Sequence, residues 1–141
     1  MITIKYKKLH PAAVAPKQAH PGDAGFDLTV TSVKRIDSRR YEYGFGLAFE
    51  IPLGYEGEIR PRSSIYKKLT LLSNAPGTID SGYRGEVKAV FYHIPFISKP
   101  YAVGDRACQM LIKPVPEVRY IEAEELTQTE RGTGGYGSTG R

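Results

Sequence analysis

Two segments carry side chains suited to holding an anion. Arg62-Ser63-Ser64 follows a proline. A forked guanidinium, two hydroxyls and the backbone amides of a following helical turn suit phosphate oxygens, although the same serines would serve equally well as an N-cap. The second segment runs from Glu130 to Arg141 and reads ERGTGGYGSTGR. Here Arg131, Ser138 and Thr139 sit among glycines that let backbone amides approach an oxyanion closely. Arginine, an aromatic and the Ser138-Thr139 hydroxyl pair in so glycine-rich a stretch favour an arm ordered by ligand over an inert tail.

Carboxylates form the complementary set. Asp23, Asp27, Asp80 and Asp105 lie in glycine-flanked segments at strand ends. Such positions present functional groups, and they also suit turn residues that cap local amides. Together with the arginines and hydroxyls they suggest a metal shared with phosphate. Mg2+ fits, because it prefers oxygen ligands and keeps several of its waters. His10, His20 and His93 are scattered, so no zinc set is expected and all three read as structural or surface residues. Cys108 is the single cysteine; it cannot pair within the chain and reads as a small buried residue on an apolar strand. No nucleophile elbow of the Ser-His-Asp type is present.

These groups must be positioned by strands. Ile2 to Lys7 alternates, and so does Gly46 to Ile51, with Leu47, Phe49 and Ile51 on one face. Tyr55 to Arg60, Leu69 to Ser73, Glu86 to Tyr92, Ala107 to Lys113 and Val118 to Ile121 are further runs rich in β-branched and aromatic residues. Turn signals separate them at His20-Pro21-Gly22-Asp23, Pro52-Leu53-Gly54, Ala75-Pro76-Gly77 and Val103-Gly104-Asp105. Fifteen glycines and ten prolines leave little room for a long helix; the best helical candidate is a turn or two over Ser64 to Leu69. The pattern predicts an all-β jelly-roll barrel or sandwich, with one domain over 1–126 and a glycine-rich arm over 127–141.

The bulk numbers agree with this picture. At 141 residues, 40% hydrophobic and 25% charged, the chain has the balance of one globular domain. No stretch approaches the roughly 20 apolar residues of a membrane helix. Met1 to Tyr6 lacks the apolar block of a secretory signal, so a cytoplasmic location is expected. The net charge of +5 is not gathered into a basic stripe, which suits a compact phosphate ligand better than a nucleic-acid backbone.

Five segments, in order, resemble the motifs of the trimeric dUTP diphosphatases. They are Pro21 to Leu28 (PGDAGFDL), Pro61 to Ser64 (PRSS), Asn74 to Glu86 (NAPGTIDSGYRGE), Gly104 to Gln109 (GDRACQ) and Arg131 to Gly140 (RGTGGYGSTG). The resemblance covers essentially the whole chain. It implies a jelly-roll homotrimer that hydrolyses dUTP to dUMP and pyrophosphate, keeping uracil out of DNA and supplying dUMP for dTMP synthesis.

By the same resemblance Asp80 would activate the water that attacks the α-phosphorus, and Asp27 would hold Mg2+ through its water shell. Arg62, Ser63, Ser64 and Gln109 would clamp the phosphates, with Ser63 near the bridging oxygen that leaves. Asn74, Gly77 and Ile79 would meet the uracil edge, and Tyr83 would pack under the sugar. In the arm, Tyr136 would stack on the base beside Gly137 while Arg131, Ser138 and Thr139 hold the γ-phosphate, closing a site built by neighbouring subunits. Tyr136 stands where phenylalanine is commoner in the family, Cys108 where alanine is frequent, and Gly82 where a second acidic residue is often found.

Three other readings are weaker. A dCTP deaminase of this fold would carry a glutamate where Arg84 stands. A regulatory protein that senses nucleotide and contacts a protein partner would need the same motifs. A barrel binding single-stranded nucleic acid would interleave aromatics with Lys and Arg, but Tyr41, Tyr43 and the Lys34 to Arg40 stretch read better as a solvated hairpin.

Overall fold

The computed structural model describes residues 1–135. Ten short strands form: β1 (Lys5–Lys8), β2 (Phe26–Thr29), β3 (Ser32–Arg35), β4 (Arg40–Gly44), β5 (Leu47–Glu50), β6 (Tyr55–Pro61), β7 (Thr70–Leu72), β8 (Gly77–Ile79), β9 (Lys88–His93) and β10 (Arg106–Pro114). The expected helical turn is a 3-10 turn over Ser63–Lys67. One four-stranded sheet runs β2-β10-β6-β8, a second runs β3-β4-β9-β7, and β1 pairs with β5. Every paired neighbour is antiparallel.

The core lies between the sheets, because alternation turns one side of each strand inward. Leu28, Ile59, Cys108 and Met110 come from the first sheet, and Tyr43, Leu72, Ala89 and Phe91 from the second, with Leu47 and Phe49 of β5 beside them. Tyr43, Phe91 and Tyr101 interlock edge to face, with centroids 5.3 to 5.6 Å apart. Tyr43 Oη also lies 3.1 Å from Nε2 of the buried His93 and accepts the Tyr101 amide at 3.2 Å. Burial pushes the Cys108 thiol up to about 12.

β10 breaks its own alternation. The register against β2 shifts between Arg106 and Cys108, and Ala107 and Cys108 are buried side by side. This bulge moves one extra residue into the core and brings Arg106 to the outer face beside Gln109.

Two expectations need correction. Val118 to Ile121 forms no strand, and Val118, Tyr120 and Ile121 are exposed. The β propensity is present but the chain offers the run no neighbouring strand, and no strand forms anywhere in 115–135. The stretch around Tyr41 and Tyr43 does form a hairpin, β3 against β4, but Tyr43 is wholly buried.

Candidate active site

The outer face of the first sheet carries the polar residues. Asp27 on β2 sits opposite Gln109 on β10, and Gln109 sits opposite Arg60 on β6. Just past β6, Arg62 turns back over this row and donates its Nε–H to Asp27 Oδ1 at 2.8 Å. Arg106, re-aimed by the bulge, donates from Nη1 to Asp27 Oδ2 at 2.8 Å. Both oxygens of a carboxylate only 12% exposed are thus paired.

Gln109 Nε2 donates to the Pro61 carbonyl at 3.3 Å. Gly25 makes room for it, since a Cβ at that position would run into the Gln109 side chain. Asp23, Gly25, Asp27, Arg60, Arg62, Ser63 and Gln109 line a mainly polar recess of about 350 Å³. Ser64, anticipated beside Ser63, is not in its lining. Neither serine caps the 3-10 turn through its side chain, which leaves the Ser63 hydroxyl available to a ligand. Farther along the same face, Glu58 lies buried between Lys113 and Arg60; Lys113 first and Arg60 second hold its carboxyl below the usual range.

The third anticipated segment lies elsewhere. Gly77 and Ile79 are on β8, the opposite edge of the same sheet. Three strand spacings separate β2 from β8, about 14 Å across. Ile79 sits level with Ile112 rather than Gln109, about 10 Å farther along. Asn74 stands at the turn before β8, with its amide against Gly77. Asp80 follows β8 and lines a separate recess with Tyr55, Glu56, Ser81 and Val115. Its carbonyl accepts the Tyr83 amide at 3.0 Å. Tyr83 folds against Gly85, which has no Cβ to obstruct the ring, and donates its hydroxyl to the Glu86 carbonyl at 3.0 Å.

Within one chain the four glycine-flanked carboxylates do not all converge: Asp23 and Asp27 share a recess, while Asp80 and Asp105 lie elsewhere. Asp23 caps the His20 amide at 2.8 Å. Asp105 accepts the Ala102 amide at 3.0 Å and pairs with Lys68 at 3.2 Å; these contacts, in that order, hold its carboxyl below the usual range. Among the described residues no three His, Cys, Asp or Glu side chains gather around a metal position. Asp27 alone, with lone pairs left on both oxygens, fits a hydrated Mg2+ held through water and shared with phosphates, not an all-protein cage.

In the arm, Arg131 is exposed and donates its Nε–H to the Gly134 carbonyl at 3.1 Å. Tyr136, Gly137, Ser138 and Thr139 lie outside the described residues. No helix among the described residues is long and apolar enough to cross a membrane. Sequence reasoning assigned no role to Arg106; the signal, visible only with the register, is the bulge beside it.

Two facing antiparallel sheets with an arginine-lined polar recess at one edge define an all-β protein of distorted jelly-roll type. A family model described as dUTPase matches residues 12–140. The chain belongs to the dUTPase family. It is 43% identical over 143 residues to the deoxyuridine 5'-triphosphate nucleotidohydrolase of Clostridium acetobutylicum, covering 99% of this chain and 98% of that protein. It is 44% identical over 140 residues to the protein of the same name in Nautilia profundicola, covering 98% and 99%. Among solved structures, a dUTPase of Staphylococcus bacteriophage 80alpha with dUpNHpp matches with a TM-score of 0.84 at 24% identity, over 99% of both chains. A dUTPase mutant from phage phi11 of S. aureus, whose structure details the coordination of a structural Mg(II) ion, matches with a TM-score of 0.75 at 22% identity, over 89% of this chain and 99% of that one. At these identities the structures show a common fold.

Proposed function

We propose that the chain hydrolyses dUTP to dUMP and pyrophosphate. The observation that carries this reading is the recess around Asp27, Arg62, Ser63 and Gln109, which offers guanidinium, hydroxyl and amide donors to a chain of phosphates. The names of the relatives, alike at more than 40% identity over nearly the whole chain, support dUTP as the nucleotide.

In this reading Arg62, Ser63 and Gln109, with Ser64 at the turn behind them, grip the triphosphate. The Ser63 hydroxyl serves the bridging oxygen on which charge grows as pyrophosphate departs. Donors aimed at developing charge lower the barrier, whereas uniform grip only tightens binding. Asp80 orients a water and takes its proton as the oxygen attacks the α-phosphorus. Asn74 and the backbone at Gly77 and Ile79 complement the uracil edge, so a cytosine would leave buried polar groups unpaired. Tyr83 packs under the sugar and excludes a 2′-hydroxyl. Asp27 holds a hydrated Mg2+, which when bound neutralises charge on the phosphate oxygens.

The distance between Asp80 and the Asp27 recess supports a site shared between copies, and the family resemblance suggests a homotrimer. The same holds for the segment 127–141. Its Arg131, Tyr136, Gly137, Ser138 and Thr139 close over base and γ-phosphate in a neighbouring copy, shutting out all water but the nucleophile.

The test is a product assay with purified protein and Mg2+, offering dUTP, dCTP, dTTP and UTP separately. Pyrophosphate from dUTP alone is expected. Ammonia from dCTP would show a deaminase instead, and silence on all four by folded protein would remove the hydrolytic reading.

A further inference from the structure

Arg106 has no part in the phosphate grip described above, yet the bulge at Ala107 delivers it to the sheet face that holds Asp27 and Gln109. Its Nη1 takes Asp27 Oδ2 at 2.8 Å while Arg62 Nε takes Oδ1 at 2.8 Å. The Asp27 side chain is only 12% exposed, so its charge is poorly hydrated and depends on paired cations. Without ligand, Arg62 is parked on Asp27, and an arriving phosphate must draw it away. Taking the only partner from a poorly hydrated carboxylate is costly. A second guanidinium on the other oxygen removes most of that cost.

We infer that Arg106 is a positioning residue: it keeps Asp27 paired through Oδ2 while Arg62 passes from Oδ1 to the substrate phosphate, leaving Oδ1 for the hydrated cation that travels with the phosphates. This rests on the nucleotide reading of the recess.

Calorimetric binding of dUpNHpp, in excess chelator and in saturating Mg2+, tests the exchange without turnover. In chelator, Arg106→Ala is expected to weaken binding about tenfold, because nothing then covers Asp27 when Arg62 leaves; a tenfold change is an ordinary size for such coupling. In Mg2+ the loss is about twofold or less, since the cation takes over Oδ1. Arg106→Lys, which keeps a donor and the charge, recovers most of the affinity in chelator. In an Asp27→Asn background, whose amide needs no cation, Arg106→Ala costs nothing further. Arg106→Gln carries the same cycle where the alanine variant does not fold.

Equal weakening with and without Mg2+ overturns the inference, because a merely structural arginine behaves so. A loss that persists in the Asp27→Asn background overturns it too, since Arg106 would then act on the nucleotide directly. If the unaltered protein binds no dUpNHpp in either condition, the nucleotide reading itself fails, a result visible before any variant is made.

Discussion

At the scale of single residues, the two aspartates that matter most differ in setting. Asp27 is held in place by two guanidinium groups, whereas Asp80 is exposed at the end of a short edge strand. A base that acts only in the chemical step should be separable from binding. Asp80→Asn is expected to lower kcat by about a thousandfold, within the range general bases supply, while dUpNHpp affinity stays within about twofold. Stopped-flow hydrolysis beside calorimetry checks both, and a variant that turns over normally would release Asp80 from the role. His93 makes a different prediction. Burial holds its pKa below the ordinary 6.5, so the unfolded chain takes up the proton first on acidification. Its contribution to stability is complete above pH 6.5 and is lost as pH falls below that value toward the lowered folded pKa. Urea unfolding between pH 7 and pH 5 should show this slope, and His93→Asn should flatten it.

Elements carry the next level of meaning. Strands β5, β6, β9 and β10 were legible because alternation and β-branched residues coincide there, and the turns at Pro52-Leu53-Gly54 and Val103-Gly104-Asp105 bound them as expected. β2 and β8 were not among the expected strands: runs as short as FDLT and GTI carry too little pattern to stand out from loop. Val118 to Ile121 failed in the opposite sense, since propensity without a neighbouring strand leaves a run exposed. Arg62, Ser63, Asp27 and Gln109 could be nominated from residue type and family pattern, but not the double clamp on Asp27, because it depends on a one-residue bulge that only the register reveals. The C-terminal arm yields a prediction of its own. Residues 115–133 are exposed throughout, so deleting 127–141 should leave Tm within a few degrees while removing most dUTP hydrolysis. A shortened chain with full kcat/KM would show that the arm closes nothing.

For the whole molecule the decisive fact is that Asp80 and Arg62 belong to opposite ends of the paired strands β8 and β6: Asp80 falls level with Glu56, six residues or about 20 Å along β6 from Arg62. A ring of copies would bring one chain's Asp80 to another's Arg62 through a head-to-tail contact that closes on itself. Arg62→Ala and Asp80→Asn, each inactive alone, should then complement when unfolded together and refolded. At equal proportions about one site in four (half times half) pairs an intact Arg62 with an intact Asp80. Recovery near a quarter of the unaltered rate is expected, and none at all would mean that both residues serve from a single chain. The same separation, in a shared site, would make catalysis a matter of abundance. If the site is shared between copies, a chain alone would hold two halves that never meet, and below the concentration at which copies associate the rate per chain would collapse rather than scale with dose. On that reading a cell that makes a little of this protein would gain almost nothing from it, and one that makes somewhat more would gain the whole activity, a threshold written into the length of one strand, β6.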